Sequence, residues 1–346
     1  MKALVTGSTG MLGHNLVRGL LEQGWEVIAL VRSKQKAQKL FGNLPLEMIE
    51  SDMENVAGFT SALEGIDTVF HTAAYFREYY SAGQDHWGKL KRINIDATLE
   101  LITVSEKIGV KNFIHVSSSG SVGIPANHAI ADENTPMATE TQNLYFKSKV
   151  EGDIAIKNWL EATPRAIKIV TILPGWMFAP RDAAPTSAGQ LLLDFMANKI
   201  PGLINAGTST VDARDVATAM IKAVEHGRNG EKYIVAGRLV RFTELFALLE
   251  QISGIKAPTT KIPNWLGLTL ARVDTFVSGL QNKSPTMPFE GLQTMLALHN
   301  LSSAKAEREL GVTFRPLEQT LRDTLAWYKE NGYLESKIAT PSTAQA

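Results

Sequence analysis

Apolar and polar positions alternate in a steady rhythm through the first half of the chain. The run Lys2-Ala3-Leu4-Val5-Thr6 ends in Gly7-Ser8-Thr9-Gly10-Met11-Leu12-Gly13, after which Leu12, Leu16, Leu20 and Leu21 mark one face of a helix. That order predicts strand, tight turn, helix. Further strands are predicted at Glu26–Val31, Leu46–Glu50, Thr68–Thr72 and Asn112–Val116, with another ending at Pro174-Gly175. Long helices are predicted over about 85–108 and from Asn143 to about Ala162. From Gln190 on, helical stretches alternate with short strands such as Lys232–Val235, and Val240–Ile252 and Leu317–Tyr328 read as amphipathic helices.

Strands separated by helices at this spacing imply βαβ units. The predicted class is α/β: a Rossmann-type doubly wound parallel sheet with a smaller C-terminal α/β substrate lobe. Residues 1–175 are read as the nucleotide-binding domain and 176–335 mainly as the lobe, with a soft boundary and shared strands. Residues 336–346 are small and polar and read as a flexible tail. The stretch 258–288 has more apolar positions than one helix face needs; it fits a lid, a lipid-like substrate wall or a partner surface, with ordinary core the safer reading.

Composition narrows the class. Hydrophobic residues make up 44% of the 346 and charged residues 20%, as in globular proteins. Lys+Arg and Asp+Glu both total 35, so no basic excess argues for nucleic acid. The absence of cysteine excludes disulfides, thiolate metal ligands and a cysteine nucleophile. No apolar run approaches the ~18–20 residues that span a bilayer. The chain enters a strand at once, with no signal-peptide pattern, and a cytoplasmic location is expected. His71, His86, His115 and His128 show no metal-ligand spacing, and no metal is expected.

The first turn carries the first chemistry. Gly7 suits a conformation a side chain would forbid, Gly10 leaves room for a phosphate, and Gly13 lets the helix lie close to the strand. The helix N-terminus would then face a pyrophosphate, with Thr6, Gly7, Thr9, Gly10, Met11, Leu12 and Gly13 as the cradle. The spacing is G-x-x-G-x-x-G, and a turn without a ligand needs glycine too; its place after a first strand favours the dinucleotide. Arg32, at the tip of the second strand, can fork onto a 2′-phosphate, which favours NADP(H) over NAD(H); alternatively Arg32 and Lys34 are a solvated strand end. A parallel sheet binds beyond the carboxyl ends of its strands, so Asp52, Met53, Thr72, Ala73 and Ala74 should border the cofactor.

Tyr75-Phe76-Arg77-Glu78-Tyr79-Tyr80 is unusually aromatic for a loop and would form either a pocket for a flat or apolar substrate or packing beneath the loop. Asn94, on the helix that follows, could bond a strand end. Ser117-Ser118-Ser119-Gly120 closes the fifth strand. Tyr145 and Lys149 are four apart and face one side of a helix. An ammonium there is expected to lower the phenol's pKa, making Tyr145 an acid or base for a hydroxyl–carbonyl pair.

Together these residues resemble the extended branch of the short-chain dehydrogenase/reductases. The matching pieces are Thr6 to Gly13, the serines 27 positions before the tyrosine, and Tyr145-Phe146-Lys147-Ser148-Lys149. They continue through Leu173 to Asp182 and Val211 to Ala217. The resemblance implies Ser118 as catalytic serine, with Ser117 and Ser119 as close alternatives, Tyr145 as proton donor and acceptor, and Lys149 as its activator. Ser117, Tyr145, Lys149, Pro174 and Gly175 would also border the cofactor, and Tyr75, Phe76, Ser119, Trp176 and Met177 the substrate. A homodimer through the two long helices is implied by the resemblance alone.

Sugar-nucleotide epimerases and dehydratases usually place an asparagine and a preceding arginine where this chain has Trp176 and Leu173, and a glycine where it has Ala179. The segment looks instead like the dihydroflavonol 4-reductase group, and Pro180 to Thr186 resembles hopanoid-associated epimerase-like proteins. The expected activity is NADPH-dependent reduction of a small-molecule aldehyde or ketone on an apolar or aromatic scaffold. The alternatives are a sugar-nucleotide epimerase or dehydratase, and a non-catalytic NADP-binding regulator.

Overall fold

A computed structural model describes residues 1–334 apart from 78–79, 81–84, 126–128, 281–284 and 286–287. The expected tail, His128, Glu78 and Tyr79 lie outside the described residues. The strands are β1 (Lys2–Thr6), β2 (Glu26–Val31), β3 (Glu47–Glu50), β4 (Thr68–His71), β5 (Asn112–Val116), β6 (Lys168–Pro174), β7 (Trp176–Phe178), β8 (Gly207–Asp212), β9 (Lys232–Val235) and β10 (Arg238–Arg241). The helices are α1 (Met11–Glu22), α2 (Lys34–Phe41), α3 (His86–Leu90), α4 (Ala97–Ile108), α5 (Leu144–Ala162), α6 (Ser187–Met196), α7 (Ala213–His226), α8 (Phe242–Ser253), α9 (Asn264–Leu280), α10 (Phe289–Leu296) and α11 (Leu317–Glu330).

Seven strands form a parallel sheet in the order β3-β2-β1-β4-β5-β6-β9. The chain runs outward from β1 to β3, then returns to β4 on the other side of β1. That reversal opens a crevice at the carboxyl ends of β1 and β4, where such sheets bind ligands. Helices cover both faces, so the strands are apolar on both sides. Ala3 and Val5 face one core with Leu16, Val17, Val216 and Met220; Leu4 faces the other with Leu101, Ile102 and Ile156.

β7, β8 and β10 form a second sheet, β7 parallel and β10 antiparallel to β8. It packs with α6, α8 and α11 around Phe178, Leu192, Phe195, Phe246, Leu321 and Leu325. The predicted helix Val240–Ile252 therefore starts at Phe242, because Arg238–Arg241 pairs with β8 and puts Val240 opposite Thr208. The long helix predicted over 85–108 contains a π-helical turn, Lys91–Asp96, between α3 and α4.

The expectation of ordinary core over 258–288 does not hold. α9 buries Ala271 against Ile204 and Leu292, but Trp265 is 69% and Phe276 68% exposed, with Leu270, Val273 and Val277 also exposed. The small cluster under α9 covers only one stripe of a helix that is apolar nearly all round. No helix among the described residues is long and apolar enough to cross a membrane.

Candidate functional site

The glycine turn lies at the sheet's reversal point. Gly7 has φ +66°, and a Cβ there would stand 2.7 Å from both Ala73 N and Thr72 Oγ1. A Cβ at Gly13 would overlap the Gly7 carbonyl oxygen, whereas one at Gly10 would meet nothing closer than 3.4 Å. Two glycines thus close the turn and the third leaves its outer side clear. Gly10 N donates to Gly7 O at 3.0 Å, Thr72 Oγ1 to Thr6 O at 2.7 Å, and Ala73 N to Thr6 Oγ1 at 3.2 Å. Thr9 is half-buried in the same turn. α1 starts at Met11 and Leu12 with no side-chain cap and no acidic residue in its first turn. A positive helix end beside backbone that nothing crowds fits a dinucleotide's pyrophosphate.

Arg32 is exposed just beyond β2 and makes no ion pair among the described residues. Beside it the Lys34 N–H donates to Glu50 Oε2 at 2.7 Å. Glu50 went unnoticed in the sequence; only the β2–β3 pairing of Val31 with Glu50 brings it here. Asp52 Oδ1 accepts from Glu54 N at 2.9 Å, Met53 packs inward with Val56 and Leu30, and Ala74 is exposed.

α5 opens with Asn143, whose side chain accepts from Phe146 N at 3.1 Å. Tyr145 and Lys149 follow on one face. Lys149 is buried, donates from Nζ to Val116 O at 2.8 Å, and lies 5.8 Å from the Tyr145 ring centre. Burial lowers Lys149 to about 8, opposed by the Asp153 carboxylate. The expected lowering of Tyr145 is corrected: burial, helped by Tyr80, pushes the phenol up. The Lys149 ammonium donates to the Val116 carbonyl, and desolvation sets the direction at Tyr145.

The serine loop meets the same helix. A Cβ at Gly120 would overlap the Phe146 ring, so glycine lets the loop approach α5. Ser118 and Ser119 are partly exposed there. Ser118 Oγ accepts from Gly120 N at 3.1 Å, and its carbonyl accepts from Ser121 Oγ at 2.9 Å. Ser117 is buried.

Asn94, in the π turn, ties the loop after β4 to α5. Its Oδ1 accepts from Tyr75 N at 2.7 Å, and its Nδ2 donates to Tyr75 O at 3.0 Å and Ser148 Oγ at 2.9 Å. The loop so held sets Phe76 edge-on to Tyr145, ring centres 4.8 Å apart. Tyr75 turns the other way: its Oη lies 3.2 Å from His86 Nδ1 and accepts from Arg77 Nε at 2.8 Å.

Strand alternation separates Trp176 from Met177. Trp176 packs on Phe178 and Phe242 at 4.9 and 6.2 Å and donates from Nε1 to Ser187 Oγ at 3.2 Å; Met177 packs on the core that holds α1 and α7. Pro174 is buried at the end of β6. A Cβ at Gly175 would stand 2.7 Å from Ser209 O and 2.9 Å from Ala236 Cα, so glycine there lets the chain pass between the two sheets.

The two remaining motifs are joints. Asp182 Oδ2 accepts from Tyr328 Oη at 2.8 Å and Thr186 Oγ1 at 2.9 Å. Asp212 caps α7 and accepts from Thr320 Oγ1 at 2.8 Å, while Arg214 pairs with Asp323 at 2.7 Å.

Residues 3–236 match the NAD dependent epimerase/dehydratase family. The chain is 31% identical over 338 residues to a Synechocystis sp. protein named after dihydroflavonol 4-reductase, covering 96% of each. It is 28% identical to sterol demethylase protein B of Methylococcus capsulatus, covering 96% of this chain and 100% of that one. Among solved structures, gox2253 superposes with a TM-score of 0.80 at 27% identity, over 96% of this chain and 99% of that one. The chain belongs to the NAD dependent epimerase/dehydratase family, within the extended short-chain dehydrogenase/reductases, and is an NAD(P)-dependent oxidoreductase.

Proposed function

We propose that this protein reduces an aldehyde or ketone on an apolar or aromatic small molecule, using NADPH in preference to NADH. The observation that carries the reading is the placement of Tyr145, one helical turn from the buried Lys149 ammonium and against the Phe76 ring at 4.8 Å between centres. A phenol keeps its proton at neutral pH, and desolvation here raises its pKa further. A carbonyl reaching that hydroxyl meets a neutral acid, as reduction requires. NADPH, when bound, supplies the hydride to the substrate carbon.

As negative charge gathers on the carbonyl oxygen, the Tyr145 O–H bond breaks and its proton passes to that oxygen, completing the alcohol. Lys149, charged below about pH 8, favours the phenolate left behind. Ser118, or Ser119 beside it, holds the same oxygen. The turn from Thr6 to Gly13 receives the pyrophosphate, and Arg32 receives the 2′-phosphate.

The names of the two relatives support the substrate class: a dihydroflavonol and a sterol are both ring skeletons with large apolar surface. Half-buried Trp176, packed on the buried Phe178, puts an indole where sugar-nucleotide enzymes usually place an asparagine.

NADPH oxidation should be followed with a panel of aromatic and polycyclic carbonyls. Tyr145→Phe should cut the rate at least about a hundredfold while leaving NADPH affinity and Tm unchanged. Retained turnover in that variant rejects the role of Tyr145. Thermal stabilisation by nucleotide sugars and not by ketones rejects the substrate class.

A further inference from the structure

Behind Tyr145, in the layer between β5 and α5, lies a group of buried charges that the proposed reaction leaves unused. Asp153 sits one turn beyond Lys149 on the same stripe of α5, and both are buried. Asp153 Oδ2 accepts from Ser121 Oγ at 3.1 Å and from Lys232 Nζ at 3.3 Å. Its Oδ1 is buried without a partner among the described residues, as are His115 Nδ1 and Ser117 Oγ.

The other groups facing this layer leave Asp153 central. From β5 and β4, His115 and His71 stack at 5.6 Å; burial keeps both neutral, His71 at about 3 and His115 well below its usual value. From α5 itself, Tyr145 keeps its proton. From β9, Lys232 also meets Met137 Sδ at 3.7 Å. Farther out, Glu231 pairs with Lys305 at 2.6 Å, and Glu133 accepts from Ile234 N at 2.8 Å. Asp153 is thus a buried carboxyl paired with Lys232 at 3.3 Å and one helical turn from Lys149.

We propose that Asp153, held by Ser121 and Lys232, is a positioning residue that keeps Lys149 protonated, and that Lys232 limits how strongly it does so. A buried ammonium with no counter-charge sheds its proton, and a carboxylate one turn away opposes that. Lys232 draws on the same carboxylate and repels the same proton. The link to turnover rests on the function proposed above; the electrostatic claim does not.

The test is a pH titration of the protein carrying isotope-labelled lysine, read by NMR, with the Lys149 signal assigned through Lys149→Arg. The wild-type midpoint should fall near 8. Asp153→Asn should lower it by about one pH unit, and Lys232→Met should raise it by a smaller amount, since Lys232 is partly exposed. A loosened fold would admit water and move Asp153→Asn upward, toward the ordinary lysine value; that rise, or no change, overturns the proposal. If Asp153→Asn does not fold, an unmoved midpoint in Lys232→Met overturns it equally.

On the complete enzyme with NADPH and an accepted carbonyl, the alkaline limb of kcat/KM should move in the same two directions. A limb that stays put while the NMR midpoints move rejects the catalytic half of the claim. Wild-type protein that turns over no carbonyl, with both midpoint shifts present, removes the proposed function and leaves Asp153 as the group that sets Lys149's charge.

Discussion

The two ends of the candidate site keep their shape by different means. At the nucleotide end the backbone does it: Gly7 and Gly13 pack main chain on main chain, with Thr6 and Thr72 closing the turn and Gly10 leaving its outer side clear. At the substrate end side chains do it: Asn94 holds the loop that carries Phe76, and Gly120 yields to the Phe146 ring. Backbone packing tolerates almost no substitution and leaves a pattern in the sequence. Side-chain packing can be met by many combinations of residues and leaves little.

The largest expected effect on function lies at the nucleotide end. In Gly13→Ala the new methyl group meets a carbonyl of the turn, which no rotamer change can relieve. A loss of about 3 kcal/mol by denaturant titration is expected, together with loss of NADPH binding. Gly24→Ala is the control: φ there is +76°, but no atom lies within 4 Å of the added Cβ. Only the left-handed backbone penalty of about 1 kcal/mol should appear, with NADPH binding intact. Equal costs at the two positions would mean that the turn is not held by main-chain contact.

Next comes the substrate end. Asn94→Ala removes three hydrogen bonds and leaves the buried groups they satisfied in want of partners. The expected cost is about 1–3 kcal/mol. Turnover should fall further than NADPH affinity, since Phe76 loses its station over Tyr145 while the glycine turn is untouched. Equal losses in both would show that the two ends are not independent.

The same contrast explains what could be read from the sequence. β1, the glycine turn and the Tyr145–Lys149 spacing were legible because each is a local pattern with one dominant physical cause. β7 and β10 were not: three and four residues long, they carry too little periodicity, and only pairing with β8 makes them strands. Glu50 reaches the tip of β2 through strand register, which no local pattern contains. The direction of the Tyr145 shift failed for a related reason. The sequence shows which charge lies one turn away, but not the desolvation that raises the phenol's pKa.

A smaller effect sharpens the nucleotide end. Arg32 is exposed, so its loss should leave Tm almost unmoved. Arg32→Ala should weaken NADPH about tenfold, from the lost charge-assisted contacts, and NADH less than about twofold, measured by fluorescence titration. Glu50→Gln should act in the opposite sense, because its carboxylate at the Lys34 N–H repels a 2′-phosphate placed there. Equal weakening of both cofactors in Arg32→Ala would remove the preference for NADPH.

The smallest expected effect concerns α9, which obeys neither rule. Its Trp265 and Phe276 are as apolar as Leu16 of α1, yet they are about two-thirds exposed where Leu16 is fully buried. Leu16→Ala should cost about 2–5 kcal/mol, since a cavity opens where packing was complete. Trp265→Ser and Phe276→Ser should each change stability by no more than about 0.5 kcal/mol, because neither leaves a void nor strands a buried partner. A loss near the Leu16 value would mean that the outer face of α9 is covered in the folded protein in solution. The lobe would then be held together through a surface that the core around Ile204, Ala271 and Leu292 does not explain.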